Sequence, residues 1–409
     1  MRIKSYHRDV VHDRASVSYP LFRITVKVVM VLFMVCLIFE RKAAIASGNS
    51  FIQAVIFSCL GTTDGDQSSN SRDGAYRLPH DVKLKLFTRA TRHFMDRNFE
   101  KALNVFKKLA KLDKQMNVYV GITQYYLEDY GQARDTLQEV LVSAPDDAIA
   151  LKFLALSFYN LNELEKSLYN VEASLEIRGD TELQAFKNVL KREIKAMKGY
   201  GKTERVNFNV VFSKFEHSDT KGIVIDYLEE AYRTIGRQMD FYPPQTVTVI
   251  LYNEKNFFDI TRSPGWAGGL YDGKIRLPIG GITGNEPELK RILFHEYTHA
   301  LVHALTRRHR CPTWLEEGLA EYLSTQYRST IGQVIPLSSL ENGFPSGDPR
   351  IVLMAYLESY SAVTHMVDRY KLFRIKEFLE LLGSGEDLNS AFVTNFSISY
   401  DRFLETWGK

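Results

Sequence analysis

Two histidines four residues apart, with a glutamate directly after the first, are the side chains of this chain best spaced to do chemistry: His295-Glu296-Tyr297-Thr298-His299. On a helix, residues four apart share a face, so both imidazoles can reach one ion. An imidazole pair suits a divalent transition metal, above all Zn²⁺. The glutamate between them points off that face, where it can take a proton from a water held at the metal. A second stretch, Pro312–Tyr322, brings three more carboxylates, Glu316, Glu317 and Glu321. His303 extends the histidine face but sits about 12 Å along the axis from His295, too far to share the ion. His309 and Cys311 fall in the loop between the two stretches, which Arg307, Arg308 and Arg310 make basic.

Such side chains need helices to aim them, and the pattern around them provides these. A helix starts near Asn285–Glu288, where Pro287 and two glutamates occupy a first turn that favours proline and negative charge. Upstream, Val206–Phe212 alternates as a strand does, Gly222–Met239 is amphipathic, and Thr246–Tyr252 is a β-branched strand. Gly265–Pro278 is extended and punctuated by glycine, and Tyr356 opens a helix running to about Tyr370. Lys371–Trp407 reads as closing helices.

The His-Glu-x-x-His run followed by Trp314-Leu315-Glu316-Glu317-Gly318-Leu319-Ala320 resembles the gluzincins, most closely the branch called peptidase MA-like. The resemblance spans roughly Glu204–Trp407 and implies an α+β, thermolysin-like zinc peptidase domain over residues 204–409. It implies Zn²⁺ held by His295, His299 and Glu317, with Glu296 as general base. Glu316 is the rival third ligand, but on a helix it points about 100° away from Glu317. The same resemblance has Glu321 accept the other ring N–H of His295. It also places a Tyr or His from a later helix at the oxyanion. Tyr356, Tyr360 and His365 meet that description, and Tyr360 is the choice. Gly268–Pro278 looks like the edge strand over the site, with Leu270–Leu277 pairing with an extended peptide. Two other classes stay open: a binding or assembly scaffold with a structural zinc site, and a zinc hydrolase of a non-peptide bond.

Residues 81–199 carry a helix-period pattern with internal self-similarity. Ala90, Gly121 and Ala155 open three units at offsets of 31 and 34 residues; Phe99, Tyr130 and Leu164 follow, then Ala102, Ala133 and Ser167. The units resemble tetratricopeptide repeats, so the fold expected is multidomain, with an α-helical tetratricopeptide-like solenoid before the zinc domain. Thr181–Lys198 reads as its closing helix. The solenoid is either a concave surface for a protein partner or a brace for the next domain.

The first 46 residues look like an export or anchoring segment. Arg2, Lys4, Arg8, Arg14, Arg23 and Lys27 precede the apolar run Val28–Phe39, and Ala44-Ile45-Ala46 is a small-x-small site. Ile56-Phe57-Ser58-Cys59 faintly resembles a lipoprotein box, so cleaved signal, membrane anchor and lipoprotein all stay open. The expected location is extracytoplasmic, periplasmic in a bacterium. Residues 47–80 form a linker, with Gly61–Arg77 rich in small polar residues. Cys36, Cys59 and Cys311 cannot build a disulfide framework. With 52 basic and 49 acidic side chains, the charge balance gives no whole-chain argument for nucleic acid as a partner, and none is expected.

Overall fold

Aspartates punctuate the helical half of the chain. Asp129, Asp147 and Asp180 each accept backbone N–H bonds from the first turn of the helix that follows, the usual way such a start is satisfied. The helices are α1 (His80–Met95), α2 (Phe99–Ala110), α3 (Asn117–Tyr126), α4 (Tyr130–Ser143), α5 (Ala148–Asn160), α6 (Leu164–Ile177) and α7 (Thr181–Ala196). They pack as three antiparallel hairpins closed by α7. The small residues of the repeat units allow paired helices to approach closely: a Cβ on Gly121 would lie 2.6 Å from Leu137 Cγ, and Ser167 Oγ donates to Ala155 O at 2.8 Å.

The computed structural model describes residues 80–213, 218–262, 268–279, 286–307, 309, 311–325, 331, 333–344 and 349–407. The N-terminal segment, Cys36, Cys59 and the linker Gly61–Arg77 lie outside them. Among the described residues, no helix is long and apolar enough to cross a membrane.

After α7 the period changes from helical to two, and a five-stranded sheet follows. Its strands are β1 (Tyr200–Glu204), β2 (Phe208–Ser213), β3 (Val247–Tyr252), β4 (Leu270–Tyr271) and β5 (Ile275–Pro278), in the order β1-β2-β3-β5-β4. The three central strands are parallel and both edges are antiparallel. Parallel strands are covered on both faces. Val210, Val249, Leu251 and Leu277 face the main core, while Val211, Ile250 and Tyr252 face a smaller cluster that includes Met197 after α7.

The expected single strand Leu270–Leu277 is in fact a hairpin. Gly273, at φ +101°, turns the chain between β4 and β5, so of these two strands β4 lies at the sheet edge and β5 inside it. Helices α8 (Ser218–Met239), α9 (Glu254–Thr261), α10 (Glu286–Thr306) and α11 (Thr313–Ser324) complete the upper part. Below them lie α12 (Pro349–Gly383), α13 (Leu388–Phe396) and α14 (Tyr400–Thr406). Helix α12 begins seven residues before the expected Tyr356 and is broken at Lys371 (φ 70°, ψ 156°), next to its expected end. Trp314 is fully buried, stacked on Phe403, and donates to Tyr400 Oη at 3.1 Å; this pins α11 to α14.

Candidate metal centre

His295 and His299 lie on the buried stretch of α10, and Glu317 on the buried side of α11. Nothing in either helix alone brings Glu317 to the histidines; the packing of α11 among its neighbours does, and Gly318 next to Glu317 sets how closely α11 lies on α12. A Cβ on Gly318 would lie 2.4 Å from Ser359 O and 2.6 Å from Val363 Cγ2, so only glycine lets α11 press this closely on α12.

His295, His299 and Glu317 each offer one ligand atom, and these atoms lie within 4.8 Å of one another. The two Nε2 atoms are 3.2 Å apart, and Glu317 Oε2 is 3.6 Å from one and 3.7 Å from the other. The opposite ring nitrogens turn outward onto carboxylates. His295 Nδ1 lies 3.3 Å from Glu321 Oε1, and His299 Nδ1 lies 3.2 Å from Glu316 Oε1. His299 is thus held at Nδ1 by a hydrogen bond, while His295 Nδ1 stands within ion-pair range of its carboxylate, and both Nε2 atoms turn towards Glu317, much as outer carboxylates orient metal-binding imidazoles.

Glu317 supplies the test of whether these residues suit a metal. Its side chain is 1% exposed, yet neither carboxylate oxygen has a hydrogen-bond partner among the described residues. A buried carboxylate left so is costly, and a cation between it and the two Nε2 atoms would match it. The donor set of two imidazoles and one carboxylate is the set that binds a catalytic zinc.

The field at the site is strongly negative. Burial alone would lower the His295 pKa, but Glu317 and Glu321 raise it to about 10. His299 is likewise raised, burial being overruled by Glu317 and Glu316. Glu321 moves the other way: burial works against ionisation, but His295 and Arg291 hold its carboxyl low. Arg291, one turn before His295, reaches Glu321 at 3.6 Å and Glu288 at 2.9 Å.

Glu296 is buried beside the trio, and its pKa is raised, first by burial and then by Glu317, against the pull of His295 and His299. Its immediate neighbour was not foreseen from sequence. A Cβ on Gly269, just before β4, would lie 2.8 Å from Glu296 Oε1. The signal was there in the Gly268-Gly269 pair, but what it makes room for is visible only across the fold.

The later helix divides its three oxyanion candidates. The Tyr360 ring packs against Tyr322, 6.3 Å between centroids, and His365 lies against Phe403 at 6.4 Å. Tyr356 is the phenol whose pKa is pushed well up, first by burial and then by Glu317, Glu321 and Glu296. His303, too far along α10 to share the ion, packs in the structure against Tyr271, with Tyr271 Oη at 3.3 Å and Glu128 Oε1 at 3.4 Å. Glu316, weighed in sequence only as a rival ligand, is the His299 partner.

Residues 238–409 match the family model described as Peptidase MA superfamily, so the C-terminal part of the chain carries a peptidase-like domain of that superfamily. Among solved structures, the chain is similar to the first TPR of Spaghetti (RPAP3) bound to the HSP90 peptide SRMEEVD. That likeness covers 30% of this chain and 99% of that one, at 13% identity and a TM-score of 0.28. At that score it decides neither fold nor partner.

Proposed function

We propose that the protein is a gluzincin-type zinc peptidase acting on extended peptides, preceded by three tetratricopeptide-like hairpins and a closing helix. The observation that carries this reading is the buried trio His295, His299 and Glu317 with a second carboxylate, Glu296, beside it and outside the ligand set. A purely structural zinc site has no use for Glu296, a buried carboxylate placed to take and return a proton.

Zinc, when bound, supplies Lewis acidity for the scissile carbonyl and makes a water acidic enough to deprotonate near neutrality. Glu296 accepts that water's proton and later delivers it to the leaving amine. Gly269, having no side chain, lets that carboxylate lie directly against the start of β4. The Tyr356 hydroxyl, kept protonated by its raised pKa, is the donor we assign to the developing oxyanion in place of Tyr360. β4 is an edge strand of the sheet, the position at which an extended peptide can add by main-chain pairing, which favours a peptide over a small ester. The basic lead and apolar run before residue 46 support an extracytoplasmic location, which reporter fusions after residue 80 would test.

The decisive experiment is Glu296→Gln on a verified peptide substrate. The variant keeps the shape of the side chain and every proposed ligand, so it should fold, hold one zinc and lose about 10²–10⁴-fold in turnover. Wild-type turnover in Glu296→Gln would sink the mechanism.

A further inference from the structure

The three helical hairpins turn in the same way at equivalent places. Arg97, Glu128 and Asn162 are the middle residues of the α1–α2, α3–α4 and α5–α6 turns, and all three sit in the left-handed region (φ 57°, 63° and 60°). In each turn the following N–H bonds back to the last helical turn: Asn98 to His93 O, Asp129 to Gln124 O, and Glu163 to Phe158 O. Glycine is the ordinary occupant of such a position, and a side chain there is strained. Here the second and third turns use theirs on the metal domain. Glu128 Oε1 is 3.4 Å from His303 Nε2, and Asn162 Oδ1 accepts from Lys274 Nζ at 3.2 Å. Beside the first turn, Glu100 Oε1 accepts from Arg307 Nη1 at 2.7 Å. One edge of the helical array therefore runs along the end of α10 and onto the β4–β5 hairpin.

At the hairpin the contact becomes a buried network. Lys274 Nζ also donates to Tyr159 O at 2.7 Å and lies over the Tyr159 ring at 4.2 Å. Arg276, 1% exposed, donates to Glu193 Oε1 and Tyr252 Oη, both at 2.6 Å, and to Tyr159 Oη at 2.9 Å. Its Nε bonds Asp272 Oδ2 across the hairpin at 3.0 Å. The far end of this two-strand element is Gly269, against Glu296. A single short hairpin is thus held by the array at its turn and meets the proposed base at its root.

We infer that this turn edge is an internal clamp, and that Arg276 is a positioning residue which sets the β4 edge beside Glu296 through its bonds to Glu193 and Tyr159. The array so placed serves the active site of its own chain. The kinetic half of the test rests on the peptidase reading, and the exchange half does not.

The test uses the full chain with Arg276→Lys, which keeps the charge but loses the fork, and with the pair Glu128→Gly and Asn162→Gly. The glycine pair relieves the left-handed turns while deleting their contacts, so the array should fold at least as well. Zinc content should stay at one in all variants, because the ligands lie on α10 and α11. Amide exchange at Leu270–Arg276 should quicken on the order of tenfold while α10 stays protected. In both variants kcat/KM should fall on the order of tenfold or more through KM, since a displaced edge binds peptide poorly. A merely structural loss would lower the active fraction and leave KM alone. If the glycine pair and Arg276→Lys both keep wild-type exchange at the hairpin and wild-type KM, the clamp is wrong. If Arg276→Lys does not fold, the glycine pair decides. A wild type that cleaves nothing sinks the peptidase reading while the exchange measurement still judges the clamp.

Discussion

Glu316 Oε1 lies 3.2 Å from His299 Nδ1, while its neighbour Glu317 turns a carboxylate oxygen to 3.7 Å from Nε2 of the same ring. Two adjacent glutamates on α11 thus address opposite sides of one imidazole. One lies where a metal would be shared, and the other sets the ring's tautomer.

That division separates two variants at adjacent positions. Glu317→Ala should abolish stoichiometric zinc binding, as should His295→Ala and His299→Ala. Glu316→Gln should still bind one zinc, weakened by about 10–100-fold, the usual effect of losing an orienting partner. Zinc titration by competition with a chelating dye reads both. Full zinc in Glu317→Ala together with none in Glu316→Gln would reverse the assignment.

Gly269→Ala puts a Cβ within 2.8 Å of Glu296 Oε1. The side chain that must move is the proposed base, and no ligand is touched. Zinc content should therefore be unchanged while turnover drops on the order of 10²-fold, as expected for a misplaced catalytic group. Equal turnover in Gly269→Ala and wild type would show that Glu296 need not sit where it does.

Tyr356→Phe and Tyr360→Phe test which phenol serves the oxyanion. Losing one such donor costs on the order of 10²–10³-fold in kcat, and that loss should fall on Tyr356→Phe alone. Tyr360→Phe keeps the ring that packs on Tyr322 and should cost little in kcat. The opposite ranking would return the role to Tyr360.

Acid should loosen the contact between the array and the sheet. Burial alone would raise the Glu193 pKa, but Arg276 and Lys274 overrule it and bring it to about 2 from 4.5. A carboxyl with a depressed folded pKa contributes stability that is complete above the unfolded value, here about 4.5, and is lost as pH falls towards 2. The shift corresponds to about 3 kcal/mol. Denaturant midpoints measured from pH 6 to pH 3 should fall, and Glu193→Gln should flatten that slope while lowering stability at pH 6. An identical slope in Glu193→Gln would place the acid sensitivity elsewhere.

Local geometry made the chemistry legible from sequence. Four residues along a helix always bring two side chains to one face, so His295 and His299 announce a shared ion wherever the helix sits. The Glu317-Gly318 step and the repeat offsets are also short-range patterns, and the contacts of Gly318 with α12 and of Gly121 with Leu137 give them their physical reason. The choices left open involve residues far apart in the chain. Which of Tyr356, Tyr360 and His365 faces the carboxylates depends on how α12 rotates against α11, and no spacing within one helix records that. Arg276 and Glu193 are 83 residues apart, and Arg276 in sequence is an unremarked cation in an extended stretch. Its partner is decided when the sheet is covered by α7, because a guanidinium buried at 1% exposure must be matched by whatever carboxylate the packing brings to it. Helix and strand periods are read within a turn or two of chain. The hairpin's clamp and the surroundings of Glu296 come from docking one element on another, which depends on the whole tertiary fold.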